Sequence, residues 1–153
     1  MLGVGLITAA GISLAMLPDS EPAPAAAGED VTAPSARVAV IDGATLKLRD
    51  RVVLLQGVMP PSRGTTCGGQ DCGAAATNVL AALVRDAPLD CRVTGMDDFG
   101  RAVAICRAGS TELNYAVIAA GWARAGKARP DLRQAEEAAR TAGLGAWASD
   151  GRW

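Results

Sequence analysis

VIDGATLKLRDRVVLLQG, residues 40–57, turns back on itself twice. Asp42-Gly43 and Asp50-Arg51 are turn signals, and between them Leu46 and Leu48 alternate with Lys47 and Arg49. The stretch and its flanks predict three short strands, Arg37–Ile41, Thr45–Arg49 and Val52–Gln56. A loop follows over 58–72, punctuated by Pro60-Pro61, Gly64, Gly68 and Gly69. From Gly73 the period becomes helical, with Val79, Leu80, Leu83 and Val84 on one face, until Asp86 and Pro88. Leu89–Thr94 and Arg101–Arg107 flank a turn containing Asp97, Asp98 and Gly100, which predicts a hairpin. Two further helices are expected, from about Thr111 to Ala120 with Gly121 closing it, and over Pro130–Thr141 up to Gly143. Five strands, a helix between the third and fourth, and two helices behind give the element order of an OB-type barrel. The expected fold class is α+β, a five-stranded OB-type β-barrel with three helices over residues 37–153.

The ends of the chain differ in character. Met1–Leu17 is a charge-free apolar run closed by Pro18, which stops a helix at the residue before it. As a helix it spans about 25 Å, marginal for a hydrocarbon core of about 30 Å. Two readings compete. A cleaved signal would use Ala25-Ala26-Ala27 before Gly28, but that site lies well past the apolar run and no basic residue precedes the run. An uncleaved transmembrane anchor suits the length and the distant small-residue site better. Residues 18–36 (PDSEPAPAAAGEDVTAPSA) read as an extended Pro/Ala/acidic linker. Its acids, with no Lys or Arg, suit the exported side of a membrane. The expected location is the bacterial inner membrane, with the folded domain in the periplasm.

Charge and composition exclude several functions. Residues 1–36 hold four acids and no basic residue, whereas 37–153 hold 15 basic residues against 12 acids, a net of +3. That is far short of the dense basic face a nucleic-acid binder needs, so no nucleic-acid partner is expected. There is no histidine, which removes the commonest general base and the usual nitrogen ligand for zinc. The four cysteines, behind an export-type segment, read as two disulfides. Three connectivities are possible. Cys67–Cys72 closing a small loop and Cys91–Cys106 tying the hairpin are favoured, the second because its members are symmetric about the Asp98–Phe99 turn.

Several fragments, taken in order, carry a resemblance. VIDGATLKL (40–48) is similar to V-x-D-G-D-T, and LLQGVMPPS (54–62) to R-L-x-G-I-D-A-P-E. DDFGRAVA (97–104) is similar to D-x-Y-G-R-x-x-A. LNYAVIAAGWARA (113–125) and AEEAARTAGLGAWA (135–148) resemble the helical segments that follow. From Val40 to Trp147 the chain thus resembles thermonuclease-like, staphylococcal-nuclease-type domains, and Cys67 and Cys72 match an exported, disulfide-bearing branch.

The resemblance implies calcium-assisted phosphodiester cleavage. Two carboxylates help hold the cation, a glutamate handles the water, and two arginines neutralise the phosphate. On this chain the carboxylate positions fall on Ala44 and Met59, the glutamate on Ser62 and the first arginine on Leu54. Only the second arginine is kept, as Arg101. Ala44 and Met59 offer no oxygen to a hard cation. Losing even one such charge stabiliser costs about 10²–10³ in rate. The expectation is therefore a degenerate, non-enzymatic domain with no metal and no cofactor. It would be held to the membrane through residues 1–17 and bind protein partners as an accessory subunit of an inner-membrane assembly, such as one of the respiratory chain. An apolar Leu54/Met59/Pro60/Pro61 surface is the expected contact face.

The alternative is a divergent exported calcium-dependent nuclease or phosphodiesterase using Arg101 with Asp42 and Asp97. Each of those residues has a plainer role: Asp42 capping its own turn, Arg101 pairing with Asp97 or the third helix. Trp122 and Trp147 suit core packing, and Trp153 a contact with a partner.

Overall fold

The computed structural model describes residues 26–149 and residue 153. The anchor expected over 1–17 and the first part of the linker, 18–25, lie outside them. Among the described residues no helix is long and apolar enough to cross a membrane.

Seven strands make the main sheet: β1 (Asp30–Ala33), β2 (Val38–Asp42), β3 (Thr45–Leu48), β4 (Arg51–Leu55), β5 (Leu89–Met96) and β6 (Ala102–Ala108), in the order β1-β5-β6-β4-β3-β2, and the two-residue strand Thr111–Glu112, which pairs with β6 off this path. Neighbours are antiparallel except β4 and β6, which run parallel with Leu54 opposite Val103. In place of the expected five-stranded barrel there is an open sheet, whose hydrogen-bonded path ends at β1 and β2. Its two edge strands are consecutive in the chain, joined by Pro34 and one 3-10 turn at Ser35–Arg37. Proline donates no ladder hydrogen bond and fixes its φ, so the chain leaves β5 there and resumes pairing on β3.

The expected linker is therefore too long at its C-terminal end. Asp30–Ala33 pair residue by residue with Leu89–Arg92, and Ala33 is buried. Four residues among prolines and alanines give too short a period to announce a strand. What makes it one is the free edge of β5.

Strand burial follows the period of two. Leu89, Cys91 and Val93 face the core while Asp90, Arg92 and Thr94 face solvent. With Leu46, Leu48, Val53, Leu55, Ala104 and Cys106 they form one side of the core. The other side comes from the helices α1 (Cys72–Val84) and α2 (Leu113–Ala119). In α1 the residues Ala76, Leu80 and Val84 point inward. Asp71 caps this helix by accepting from the Ala74 N–H at 2.9 Å, and its second oxygen accepts from the Gly64 N–H at 3.0 Å. These amide donors hold the Asp71 carboxyl below the usual carboxylate range.

The third helix, α3 (Arg133–Thr141), is preceded by a 3-10 turn at Pro130–Leu132 and lays Ala135 and Ala139 inward. Gly121 and Gly143, with φ of +81° and +63°, follow α2 and α3 where the sequence placed their ends. Both disulfides have the favoured connectivity. Cys91 and Cys106 sit directly opposite across β5 and β6 with Cα atoms 4.0 Å apart, and Cys67 and Cys72 are 5.8 Å apart.

Candidate functional site

The candidate site lies where the β2–β3 turn, the chain after β4 and the start of α1 meet. Gly43 is the point of closest approach. A Cβ there would lie 2.7 Å from the Ala76 Cβ and 2.8 Å from the Pro60 Cβ. Asp42 turns the chain by accepting from the Ala44 N–H at 2.9 Å, and Ala44 is buried, its carbonyl accepting from the Leu55 N–H at 2.8 Å. The Asp42 carboxylate is thus engaged in the turn, the plainer of its two expected roles.

Leu54 is half-buried in β4, flanked by Thr45 on β3 and Val103 on β6. Met59 lies in a two-residue ribbon, Val58–Met59 against Arg124–Ala125, and is 52% exposed. Ser62 is exposed and its carbonyl lies under Gly73, where any side chain would collide with the Ser62 and Arg63 backbone. The expected apolar surface is revised in two places. Pro61 is buried and Leu54 and Pro60 are half-buried, so of the four only Met59 is exposed, while Ile41 in β2 is 42% exposed. Leu54 fails to protrude because its neighbours on both sides are paired strands.

Arg101 stands at the entrance to β6. Its Nε donates to Asp97 Oδ2 at 2.7 Å, and its backbone N–H donates to Asp97 Oδ1 at 2.8 Å. The Phe99 ring centroid lies 5.4 Å from the guanidinium carbon. Partial burial pushes the Asp97 carboxyl up, but the Arg101 and Phe99 N–H donors and the guanidinium outweigh it and hold it below the usual range. The hairpin turn therefore uses this arginine and this aspartate on each other.

A calcium ion does not fit the residues present. Positions 44 and 59 carry a methyl and a thioether, Asp42 serves its turn, and Asp97 serves Arg101. Among the described residues no group of three or more Cys, Asp and Glu could hold a metal, and no step is derived through one.

Sequence reasoning missed two features. Arg63 donates to the Ile41 carbonyl at 2.9 Å, pinning the strand that bears the exposed isoleucine. Arg124, opposite Met59, lies 4.5 Å from the Trp153 ring and 5.3 Å from that of Trp147, while the two rings are 5.0 Å apart. Trp153 packs against the Cys67–Cys72–Ala146 cluster. It is thus a packing residue of this chain, where the sequence suggested a contact with a partner. Only the tertiary fold brings residues 67, 124 and 153 together, and no sequence period could.

The comparisons with known proteins agree with this architecture. No curated protein matches the chain. The family model for the staphylococcal nuclease homologue matches residues 51–149, from the first residue of β4 to the segment beyond α3, and so covers well over half of the 153 residues. The match begins after the β2–β3 turn, so Asp42 and Ala44 lie just ahead of it while positions 54, 59, 62 and 101 fall inside. The chain belongs to the family of staphylococcal nuclease homologues.

Proposed function

We propose that this chain is a catalytically inactive member of its family, acting as a protein-interaction module held to a membrane through residues 1–17. The observation that carries the reading is the chemistry at the two cation positions implied by the resemblance. Ala44 is buried without an oxygen, and Met59 presents a thioether to solvent. A hard divalent cation needs several oxygen donors, and the two carboxylates that the alternative would enlist, Asp42 and Asp97, already serve the backbone and Arg101. Loss of the metal site, the water-handling glutamate and one arginine together leaves no step by which a phosphodiester would be cleaved faster than in water.

What remains at the cleared position is the exposed pair Ile41 and Met59, flanked by Arg63. Exposed apolar side chains of this kind are what protein contacts use. Two disulfides in a small domain favour an oxidising compartment, in keeping with an exported domain beyond the charge-free run. The membrane we propose is the bacterial inner membrane, with the folded domain in the periplasm. The partners are the proteins of a larger assembly there, the respiratory chain being the class we favour. Membranes solubilised in mild detergent should show the chain migrating with a large complex. Migration as a free monomer would contradict the proposal.

The competing reading, a divergent exported calcium-dependent phosphodiesterase, has family membership in its favour. It needs Arg101, Asp97 and Asp42 to be free for substrate, and the hydrogen bonds described above commit all three elsewhere.

A further inference from the structure

The β5–β6 hairpin ends in the most exposed large apolar side chain among the described residues. Phe99 is 84% exposed, and Met96, at the end of β5, is 40% exposed. An isolated exposed leucine or methionine is ordinary, but a phenylalanine standing almost clear of the protein at a loop tip is not. Its ring lies 5.4 Å from the part-exposed Arg101 guanidinium, and the turn itself is held without it. Asp97 shapes the turn through its carboxylate and Gly100, at φ +73°, closes it, so position 99 would accept any polar residue.

The N-terminal end of the described chain lies alongside this hairpin. Residues 26–29 form a turn in which the Glu29 N–H donates to the Ala26 carbonyl, and the Gly28 N–H donates to the Val93 carbonyl at 2.7 Å. Val93 is three residues before Met96 on the same strand. Only residues 18–25 separate this turn from the apolar run 1–17. Eight residues of Pro- and Ala-rich chain reach about 25 Å at most when extended as polyproline. A bilayer holding 1–17 would therefore lie within that distance of Ala26, at the flank of the strand that carries Met96 and Phe99.

We propose that the Met96–Phe99 tip rests in the interfacial zone of the same bilayer that holds residues 1–17, giving the domain a second membrane contact and a fixed orientation. The inference rests on the anchored reading above. The tip brings one net negative charge, so its contact with the headgroup layer is apolar rather than electrostatic. Arg101 is neutralised by Asp97 and Arg92 by Asp30, leaving Asp98 exposed. An aromatic ring is the side chain that partitions best at that depth. The tether raises the local concentration of the tip at the surface, so two apolar side chains suffice where a free domain would need more.

The test uses the full chain reconstituted in phosphatidylcholine vesicles. All four native cysteines are in disulfides, so Asp98→Cys, which keeps Met96 and Phe99, and, as reference, Thr141→Cys on exposed α3 each supply one free thiol for a nitroxide label. We expect the ratio of oxygen to water-soluble nickel-complex collisions to be several-fold higher at 98 than at 141. Equal ratios with the chain still retained after an alkaline carbonate wash would overturn the tip contact and spare the anchor. A label at 98 shielded from both reagents would also overturn it, by assigning the tip to a protein contact. Release of the chain by carbonate would remove the anchor and the inference together.

Discussion

Asn114 is fully buried, and its amide ties three strand-level groups together. Its oxygen accepts from the Cys106 N–H at 3.0 Å, and its nitrogen donates to the carbonyls of Gln56 at 3.0 Å and Ala104 at 3.1 Å. Through this side chain α2 is fastened to β6 and to the end of β4. Asn114→Leu would take this partner from the buried Cys106 N–H and the half-buried Gln56 carbonyl, each costing about 1–3 kcal/mol, while the Ala104 carbonyl keeps its bond from the Gln56 N–H. We expect the urea midpoint to fall by an amount worth about 2–4 kcal/mol. An unchanged midpoint would show that water replaces the amide.

Arg101 makes the opposite case at the same scale. Its pair with Asp97 is solvent-accessible, so Arg101→Ala should change stability by no more than about 1 kcal/mol. The Asp97 carboxyl should then titrate closer to its ordinary value of 3.8, because the guanidinium that helps depress it is gone. The sign follows from linkage. A folded-state value below the unfolded one contributes stability above pH 3.8, and that contribution is lost as pH falls through the folded value. Carbon-detected NMR titration of Asp97 in both proteins measures the shift. No upward movement would mean that the backbone donors alone set it.

Among the elements, the β2–β3 turn and α1 meet at Gly43, and Gly43→Ala tests that seam. The added methyl would press on the Ala76 and Pro60 side chains, which the turn cannot avoid without moving off the helix. A cost of about 1–3 kcal/mol is expected from thermal unfolding, as for other overpacked sites. Opening the Cys91–Cys106 bridge, by changing both residues to Ala, should cost about 3 kcal/mol, because it frees a loop of about 15 residues in the unfolded chain. A reduction-insensitive melting temperature would contradict this.

The same elements show what sequence could and could not tell. The hairpin was legible because Cys91 and Cys106 are equidistant from a turn signal. The three helices were legible because their apolar spacing agrees with their stops, Pro88 after α1 and Gly121 and Gly143 after α2 and α3. β1 was not, since Asp30–Ala33 owe their strand conformation to an edge sixty residues away. That the sheet stays open was not legible either, because element order carries no information on which strand edges pair. At the candidate site the residue types were plain, but their exposure was not. Pro61 is buried and Leu54 half-covered through pairing and packing that a linear pattern does not record, whereas Ile41, never singled out, is exposed.

For the whole molecule, family membership and the local chemistry pull in different directions. The matched family fixes the scaffold, and a scaffold does not fix an activity. The proposed inactivity rests on positions 44, 54, 59, 62 and 101, where Arg101 alone keeps the residue type that the resemblance implies. The charge balance points the same way, since a net of +3 over residues 37–153 gives weak attraction to a polyanion at physiological salt.

The most direct measurement is therefore cleavage of supercoiled plasmid by the full chain in mild detergent, titrated with calcium. We expect no nicking above buffer at any calcium concentration, and the same baseline for Arg101→Ala. Calcium-dependent nicking by the native chain that disappears in Arg101→Ala would contradict the account.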